Sequence, residues 1–125
     1  MTLPPQILVA DDDDLNREVM EAFLMAENYR VQLAHDGQQT LTLSESLRPD
    51  LILLDVNMPD MTGYEVCRVL RQRPNTANTP IIIVTGYDTS QDRATGLAAG
   101  ANAFLPRPFS AHFLLDLVAK LLKKE

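Results

Sequence analysis

Residues 51–63 of the chain read LILLDVNMPDMTG. The four apolar residues that open this stretch predict a strand buried on both faces, because they follow one another without polar alternation. Asp55 ends the predicted strand, and the Pro, Asp and Gly residues after it are typical of a turn. The stretch therefore predicts a carboxylate at the tip of a buried strand, where a ligand can reach it.

The same pattern occurs near the start of the chain, where residues 7–10, ILVA, run into four aspartates at 11–14. Two strands that deliver carboxylates to one edge crowd negative charge there, and such a cluster either shares protons or binds a metal. Oxygen ligands without His or Cys favour a hard cation, Mg2+ or Mn2+. Asp14 is expected only to cap the first helix, whereas Asp11 and Asp12 are candidates for the metal.

Length and composition indicate one domain over residues 1–125, with a short N-terminal tail at 1–5, because 46% of the residues are apolar. The net charge of −6 disfavours direct binding to nucleic acid. The single cysteine, Cys67, excludes an internal disulfide and a cysteine-rich metal site. No apolar stretch approaches the ~18 residues of a membrane span, and no signal peptide is visible. We therefore expect a cytoplasmic protein that does not enter a membrane.

Apolar runs alternate along the chain with segments of helical periodicity. This alternation predicts an α/β fold, a doubly wound five-stranded parallel sheet with five helices and right-handed crossovers. The predicted strands span 6–10, 30–34, 51–55, 81–84 and 101–105, and the predicted helices span 15–27, 38–46, 64–72, 90–99 and 111–122. Gly100 is expected to end the fourth helix in a left-handed conformation.

Ligands of such sheets bind at the carboxyl ends of the strands. The polar residues predicted at or just beyond these ends are Asp11, Asp12, Asp55, Thr85 and Arg107. A carboxylate beside a hard cation can attack phosphorus and form an acyl phosphate. Thr85 offers a hydroxyl to a phosphoryl oxygen, and Arg107 adds a balancing positive charge.

Over essentially its whole length the chain resembles the response-regulator receiver domains of two-component signalling. The matching segments are ILVADDD at 7–13, NR at 16–17, PDLILLDVNMP at 49–59, Gly63, PIIIVT at 80–85, GLAAGA at 96–101 and PRPF at 106–109. Together, in this order and at this spacing, they form a highly specific pattern. The resemblance implies the flavodoxin-like receiver fold, with strand order 2-1-3-4-5.

The resemblance also implies the role of each site residue. Asp55 is expected to accept a phosphoryl group from a sensor histidine kinase or a histidine phosphotransfer protein. Mg2+, with Mn2+ as an alternative ion, is expected to bind Asp12 and Asp55 directly, Asp11 mostly through water, and the backbone carbonyl of Asn57. The domain is expected to catalyse only its own phosphorylation and dephosphorylation and is otherwise not an enzyme.

Further expectations concern the response to phosphorylation. Thr85 is expected to be the switch hydroxyl and Phe104 the switch aromatic, which together alter a surface at roughly residues 90–120. That surface addresses a downstream effector protein or an attached output domain that the sequence does not identify. The family's proline after the basic residue is typically cis, so the Arg107–Pro108 bond is expected to be cis.

One position departs from the family pattern, because the family normally has lysine where this chain has Arg107. Lysine is a compact charge, whereas guanidinium is planar and makes forked contacts. We therefore hypothesise that phosphorylation survives while coupling to the switch residues is altered. An alternative is a phosphorylation-independent interaction module with altered switching. A phosphohydrolase of the haloacid dehalogenase type is disfavoured, because Asn57 stands where those enzymes have a proton-donating Asp.

Overall fold

The computed structural model describes residues 3–86 and 90–123. Five strands alternate with five helices along the chain. The strands are β1 (Gln6–Ala10), β2 (Arg30–Ala34), β3 (Leu51–Asp55), β4 (Ile81–Thr85) and β5 (Ala103–Pro106). The helices are α1 (Asp14–Met25), α2 (Gly37–Leu47), α3 (Gly63–Gln72), α4 (Ser90–Ala99) and α5 (Ala111–Leu122).

All five strands are parallel and lie in the order β2-β1-β3-β4-β5. This arrangement confirms the predicted doubly wound fold and its strand order. Because β1 and β3 are neighbours in the centre, the residues that follow them emerge at the same edge of the sheet. The sheet order therefore creates the crevice at which the predicted site residues meet.

The sheet separates two apolar clusters, as expected when successive strand residues point to opposite faces. All residues of β3 and β4 are buried, as are residues 7–10 of β1. One cluster joins alternate strand residues to α2, α3 and α4, and it includes Cys67. The other joins the remaining strand residues to α1 and α5. With both faces covered, the polar strand tips are the part of the sheet that a ligand can approach.

The last strand differs from its predicted position, because β5 begins at Ala103 and not at residue 101. The backbone N–H groups of Gly100 and Ala101 donate to the carbonyl of Gly96, so these residues complete the C-terminal turn of α4. Gly100 has φ +107, which confirms the predicted left-handed conformation. The strand continues instead through Pro106, directly beside Arg107.

The first helix also begins differently from the prediction. Asp13, not Asp14, is its N-cap, and the Asp13 side chain accepts a hydrogen bond from the backbone N–H of Asn16. Asp14 is the first helical residue, and its exposed carboxylate pairs with Arg17. Within residues 3–86 and 90–123, every helix is too short or too polar to cross a membrane.

Candidate functional site

Three carboxylates meet where β1 and β3 end. Ala10 lies beside Leu54 in the register of the two strands, so the aspartates that follow emerge together. Asp11 and Asp55 are buried and Asp12 is exposed, and oxygens of the three side chains lie within 4.8 Å of one another. The structure thus brings together the three side chains predicted to bind a metal.

Arg107 reaches this cluster from the segment after β5. Its Nη1 donates to Oδ1 of Asp55 at 3.0 Å, and its Nη2 donates to Oδ2 of Asp11 at 2.5 Å. The Arg107 backbone N–H donates to the carbonyl of Thr85 at 2.8 Å, which fixes the segment against the end of β4. The Arg107–Pro108 bond is cis, as predicted. Arg107 therefore contacts carboxylates from two different strands.

The electrostatics of the cluster favour an additional cation. Burial and the negative charge of Asp11 raise the pKa of Asp55 to about 6, against the opposing effects of the Arg107 charge and hydrogen bond. Burial also raises the pKa of Asp11, although Arg107 and the backbone N–H of Asp13 act in the opposite direction. One guanidinium thus does not balance the buried charge. The all-oxygen donor set fits a hard divalent ion such as Mg2+.

Thr85 and Asn57 flank the carboxylates. Thr85 is the last residue of β4, is 4% exposed and pairs in register with Pro106. Apart from its chain neighbours, a Cβ on the next residue, Gly86, would meet no atom within 4 Å, so the space around Gly86 is open. Asn57 lies in the loop after β3, where it forms an isolated bridge with Thr62. The roles of the Thr85 hydroxyl and the Asn57 carbonyl remain predictions.

Phe104 is half-buried against α4 and does not lie among the site carboxylates. A Cβ on Gly96 would meet the Phe104 ring at 2.4 Å, so the ring packs where that glycine leaves room. The Arg93 guanidinium lies 5.3 Å from the ring centroid, a distance typical of a cation–π contact. Phe104 pairs with Ile83, two residues before Thr85, so the two predicted switch residues lie on neighbouring strands.

Gly63 supports Asp55 in a way that the sequence did not indicate. A Cβ on Gly63 would lie 2.3 Å from the carbonyl oxygen of Asp55, so the first turn of α3 packs directly on the backbone of the strand tip. The Gly63 N–H also donates to the carbonyl of Val56 at 2.8 Å. Gly63 matches the pattern of receiver domains in the sequence, but that match does not indicate which contact the residue makes.

Two other side chains hold the site, although the sequence assigned neither of them a role. Both oxygens of Asp60 accept backbone N–H groups of Gly37 and Gln38, at 2.7 and 2.9 Å, which ties the loop after β3 to the start of α2. Arg17 donates to the backbone carbonyl of Asp11 at 2.7 Å. Neither contact has a local sequence signal, since each joins separate elements.

The architecture and the acidic crevice define a signalling receiver, and comparison with known proteins agrees. The family model described as "Response regulator receiver domain" matches residues 7–119. The chain therefore belongs to the response-regulator receiver domain family, as the receiver domain of a two-component response regulator. Domains of this family are signalling modules and not enzymes in the usual sense.

Among curated proteins the chain is similar to response regulators MprA. It is 43% identical over 122 residues to that of Mycolicibacterium vanbaalenii, covering 98% of this chain and 52% of the relative. It is also 43% identical over 119 residues to that of Mycobacterium avium, covering 95% of this chain and 51% of the relative. The chain thus spans about half the length of these curated relatives.

Two solved structures illustrate the match in three dimensions. The Vibrio cholerae chemotaxis protein CheY4 is 31% identical with a TM-score of 0.91, and the match covers 94% of this chain and 98% of that one. The receiver domain of sensor histidine kinase PA1611 from Pseudomonas aeruginosa PAO1 is 34% identical with a TM-score of 0.91, covering 97% and 99%. In that structure a magnesium ion is coordinated in the active site cleft.

Proposed function

We propose that Asp55 accepts a phosphoryl group from the phosphohistidine of a sensor kinase or a histidine phosphotransfer protein, in a Mg2+-dependent reaction. One observation carries this proposal: the buried Asp55 carboxylate lies at a strand tip among two further aspartates and a guanidinium. This set provides a nucleophile and a place for a hard cation. The magnesium ion in the PA1611 receiver domain supports the same assignment.

In the proposed reaction an oxygen of Asp55 attacks phosphorus and forms an acyl phosphate. The P–N bond to the donor histidine breaks, and the leaving imidazole takes up a proton. Mg2+ would be held by Asp12 and Asp55, by Asp11 mostly through water and by the Asn57 carbonyl. When bound, it offsets the negative charge that accumulates during transfer. Water then hydrolyses the acyl phosphate, which releases inorganic phosphate and restores the Asp55 carboxylate. In this proposal the domain catalyses only its own phosphorylation and dephosphorylation.

The phosphoryl donor also needs a docking surface near Asp55. An open groove of about 460 Å³ lies beside the site, and Arg107, Pro108 and Phe109 line one side of it. The other side belongs to α1, where Leu15 is 67% and Val19 is 38% exposed. Because Arg107 lines the groove and also contacts Asp55, a protein seated there would bring its phosphohistidine to the acceptor. We propose this groove as the donor-binding surface.

The output of the proposed modification is a change of surface. An acyl phosphate on Asp55 adds negative charge and strong acceptor oxygens beside the Thr85 hydroxyl. Thr85 and Phe104 lie on neighbouring strands, so movement of one alters packing around the other and around α4. The proposed output surface, residues 90–120, would then address an effector protein or an output domain. Because the proposed donor kinase uses ATP as its phosphate source, we expect the reaction to take place in the cytoplasm.

The central test uses a small phosphodonor, such as acetyl phosphate, with and without Mg2+. We expect wild-type protein to gain one phosphoryl group only with Mg2+, and Asp55→Asn to gain none. Asp50→Asn is the matched control, because Asp50 immediately precedes the first residue of β3, at the opposite end of the strand from Asp55. Its side chain accepts a hydrogen bond from the Gln6 N–H at 2.7 Å. This variant should be labelled like wild type. Absence of labelling in wild type would favour the phosphorylation-independent alternative.

The donor groove needs a second experiment that separates docking from chemistry. Leu15→Arg should slow transfer from the sensor kinase that labels wild type fastest, while labelling by acetyl phosphate stays unchanged. Leu97→Arg is the control, because Leu97 is similarly exposed, at 61%, but lies on α4. Equal rates of kinase transfer to the Leu15 variant and to wild type would reject the groove as the donor-binding surface.

The proposed function also includes the assignment of residues 1–125 to one receiver domain, with a tail at 1–5.

A further inference from the structure

The Arg107 guanidinium engages two of the three carboxylates that are proposed to hold the divalent cation. Its two terminal nitrogens bond Asp55 at 3.0 Å and Asp11 at 2.5 Å. The carboxylates are almost fully shielded, since their side chains are 8% and 1% exposed, while that of Arg107 is 26% exposed. These are charge-assisted bonds in a partly buried setting, which are the stronger kind.

Both oxygens of Asp11 already have partners. Oδ1 accepts the backbone N–H of Asp13 at 2.9 Å, and Oδ2 accepts Nη2 of Arg107. A cation or its bound water that approaches Asp11 must therefore use a remaining lone pair on an oxygen that already accepts one of these hydrogen bonds, close to the donor. The Asp13 contact belongs to the backbone turn that starts α1, whereas the Arg107 side chain can move. Of the two, the hydrogen bond from Arg107 Nη2 to Asp11 is therefore the one that an approaching ion would break more easily.

Charge alone would allow both cations. Three ionised aspartates and one arginine sum to −3 + 1 = −2, and a divalent ion brings the total to zero. The conflict is therefore local: the guanidinium bridges Asp11 and Asp55, the ion would be held by the same carboxylate cluster, and two cations placed this close repel each other. It depends on the forked shape of arginine, which holds two carboxylates at fixed positions. Lysine at this position would present one flexible, hydrated charge and would yield more readily.

We propose that Arg107 competes with the divalent cation for Asp11 and Asp55 and thereby sets the metal affinity of the site. Binding of the ion displaces at least the Nη2–Asp11 contact. This inference rests on the proposed Mg2+-dependent function, and it explains what the arginine does in place of the family's lysine. Arg107 is thus a residue that tunes the cation requirement of the phosphoacceptor.

The test measures metal binding by the full chain with no phosphodonor present, by calorimetric titration with Mg2+ and by paramagnetic resonance with Mn2+. We expect Arg107→Lys to bind Mg2+ about tenfold more tightly than wild type, equivalent to about 1.4 kcal/mol. Arg73→Lys is the matched control, because the Arg73 guanidinium also pairs with a carboxylate, that of Glu45 at 3.7 Å, but bonds no site carboxylate. Its affinity should stay within about twofold of wild type.

A double-mutant cycle locates the competition. In an Asp11→Asn background the effect of Arg107→Lys should shrink to about threefold, because one of the two carboxylates for which Arg107 and the ion compete is gone while Asp55 remains. Equal Mg2+ affinity of wild type and Arg107→Lys would overturn the inference and leave the proposed function intact. An undiminished effect in the Asp11→Asn background would also overturn it. Failure of wild type and both arginine variants to bind either ion would reject the Mg2+-dependent function together with the inference.

Discussion

Gly63 is the residue whose replacement tests most sharply how the site is supported. In Gly63→Ala the new Cβ would lie 2.3 Å from the Asp55 carbonyl oxygen, 3.0 Å from its carbon and 3.2 Å from Cα of Val56. All three atoms belong to the backbone at the end of β3. No change of side-chain rotamer can relieve these contacts, so α3 and the strand tip must move apart.

The expected cost follows from two opposing effects. Overpacking of a tight contact costs about 1–3 kcal/mol, and a clash with backbone belongs at the upper end of that range. Alanine recovers about 0.5–1 kcal/mol over glycine in a helix. The net loss in the free energy of unfolding is therefore about 2 kcal/mol, which lowers the melting temperature of a domain of this size by about 8 °C.

Thermal and urea unfolding followed by circular dichroism measure this loss. Gly86→Ala is the matched control, because its Cβ would meet no atom within 4 Å, and it should stay within about 0.5 kcal/mol of wild type. The Gly63 variant should also be labelled more slowly by acetyl phosphate, since Asp55 is displaced. A Gly63→Ala protein as stable as the Gly86→Ala control would refute the reasoning.

Three further predictions concern the surroundings of the site. Amide N–H groups of α2 hold the pKa of Asp60 below its usual 3.8, so its stabilising effect is complete above that pH and is lost as the pH falls through the lowered value. Urea unfolding should show the gap between wild type and Asp60→Ala closing in acid; a constant gap would contradict this. Gly96→Ala should cost less than Gly63→Ala, because its two close contacts, at 2.4 and 2.6 Å, are with the outer end of the Phe104 side chain and not with backbone. Unchanged ring resonances of Phe104 in the NMR spectrum of this variant would be inconsistent with that contact. Cys67 is fully buried and burial raises its pKa, so aromatic disulfide reagents should modify it only on unfolding, and rapid reaction of the native protein would disprove this.

The sheet could be predicted closely because its central strands are continuous apolar runs. The observed bounds of β1 and β3 agree with the prediction, since such runs end abruptly at polar residues, and those of the edge strand β2, whose residues alternate in polarity, agree as well. The start of β5 could not be read in the same way. Ala101 looks like a strand residue, but its N–H completes the last turn of α4 by bonding to Gly96. Only the backbone path reveals that contact.

The candidate site was predictable in its members and not in its contacts. Strand-end positions identified the aspartates and Arg107, because a parallel sheet brings those ends together. The forked contact of Arg107 depends on the path of the chain after β5 and on the depth of Asp11. Likewise, Asp13 and not Asp14 caps α1, because capping depends on backbone torsions that four consecutive aspartates do not distinguish.

The most direct test of the account asks where the phosphoryl group resides. The chain is incubated with acetyl phosphate and Mg2+ and then reduced with borohydride, which converts an aspartyl phosphate to homoserine. Peptide mapping by mass spectrometry should find homoserine at position 55, and none without Mg2+ or without the phosphodonor. Homoserine at Asp11 or Asp12, or none at any position, would contradict the central claim that Asp55 is the phosphoryl acceptor.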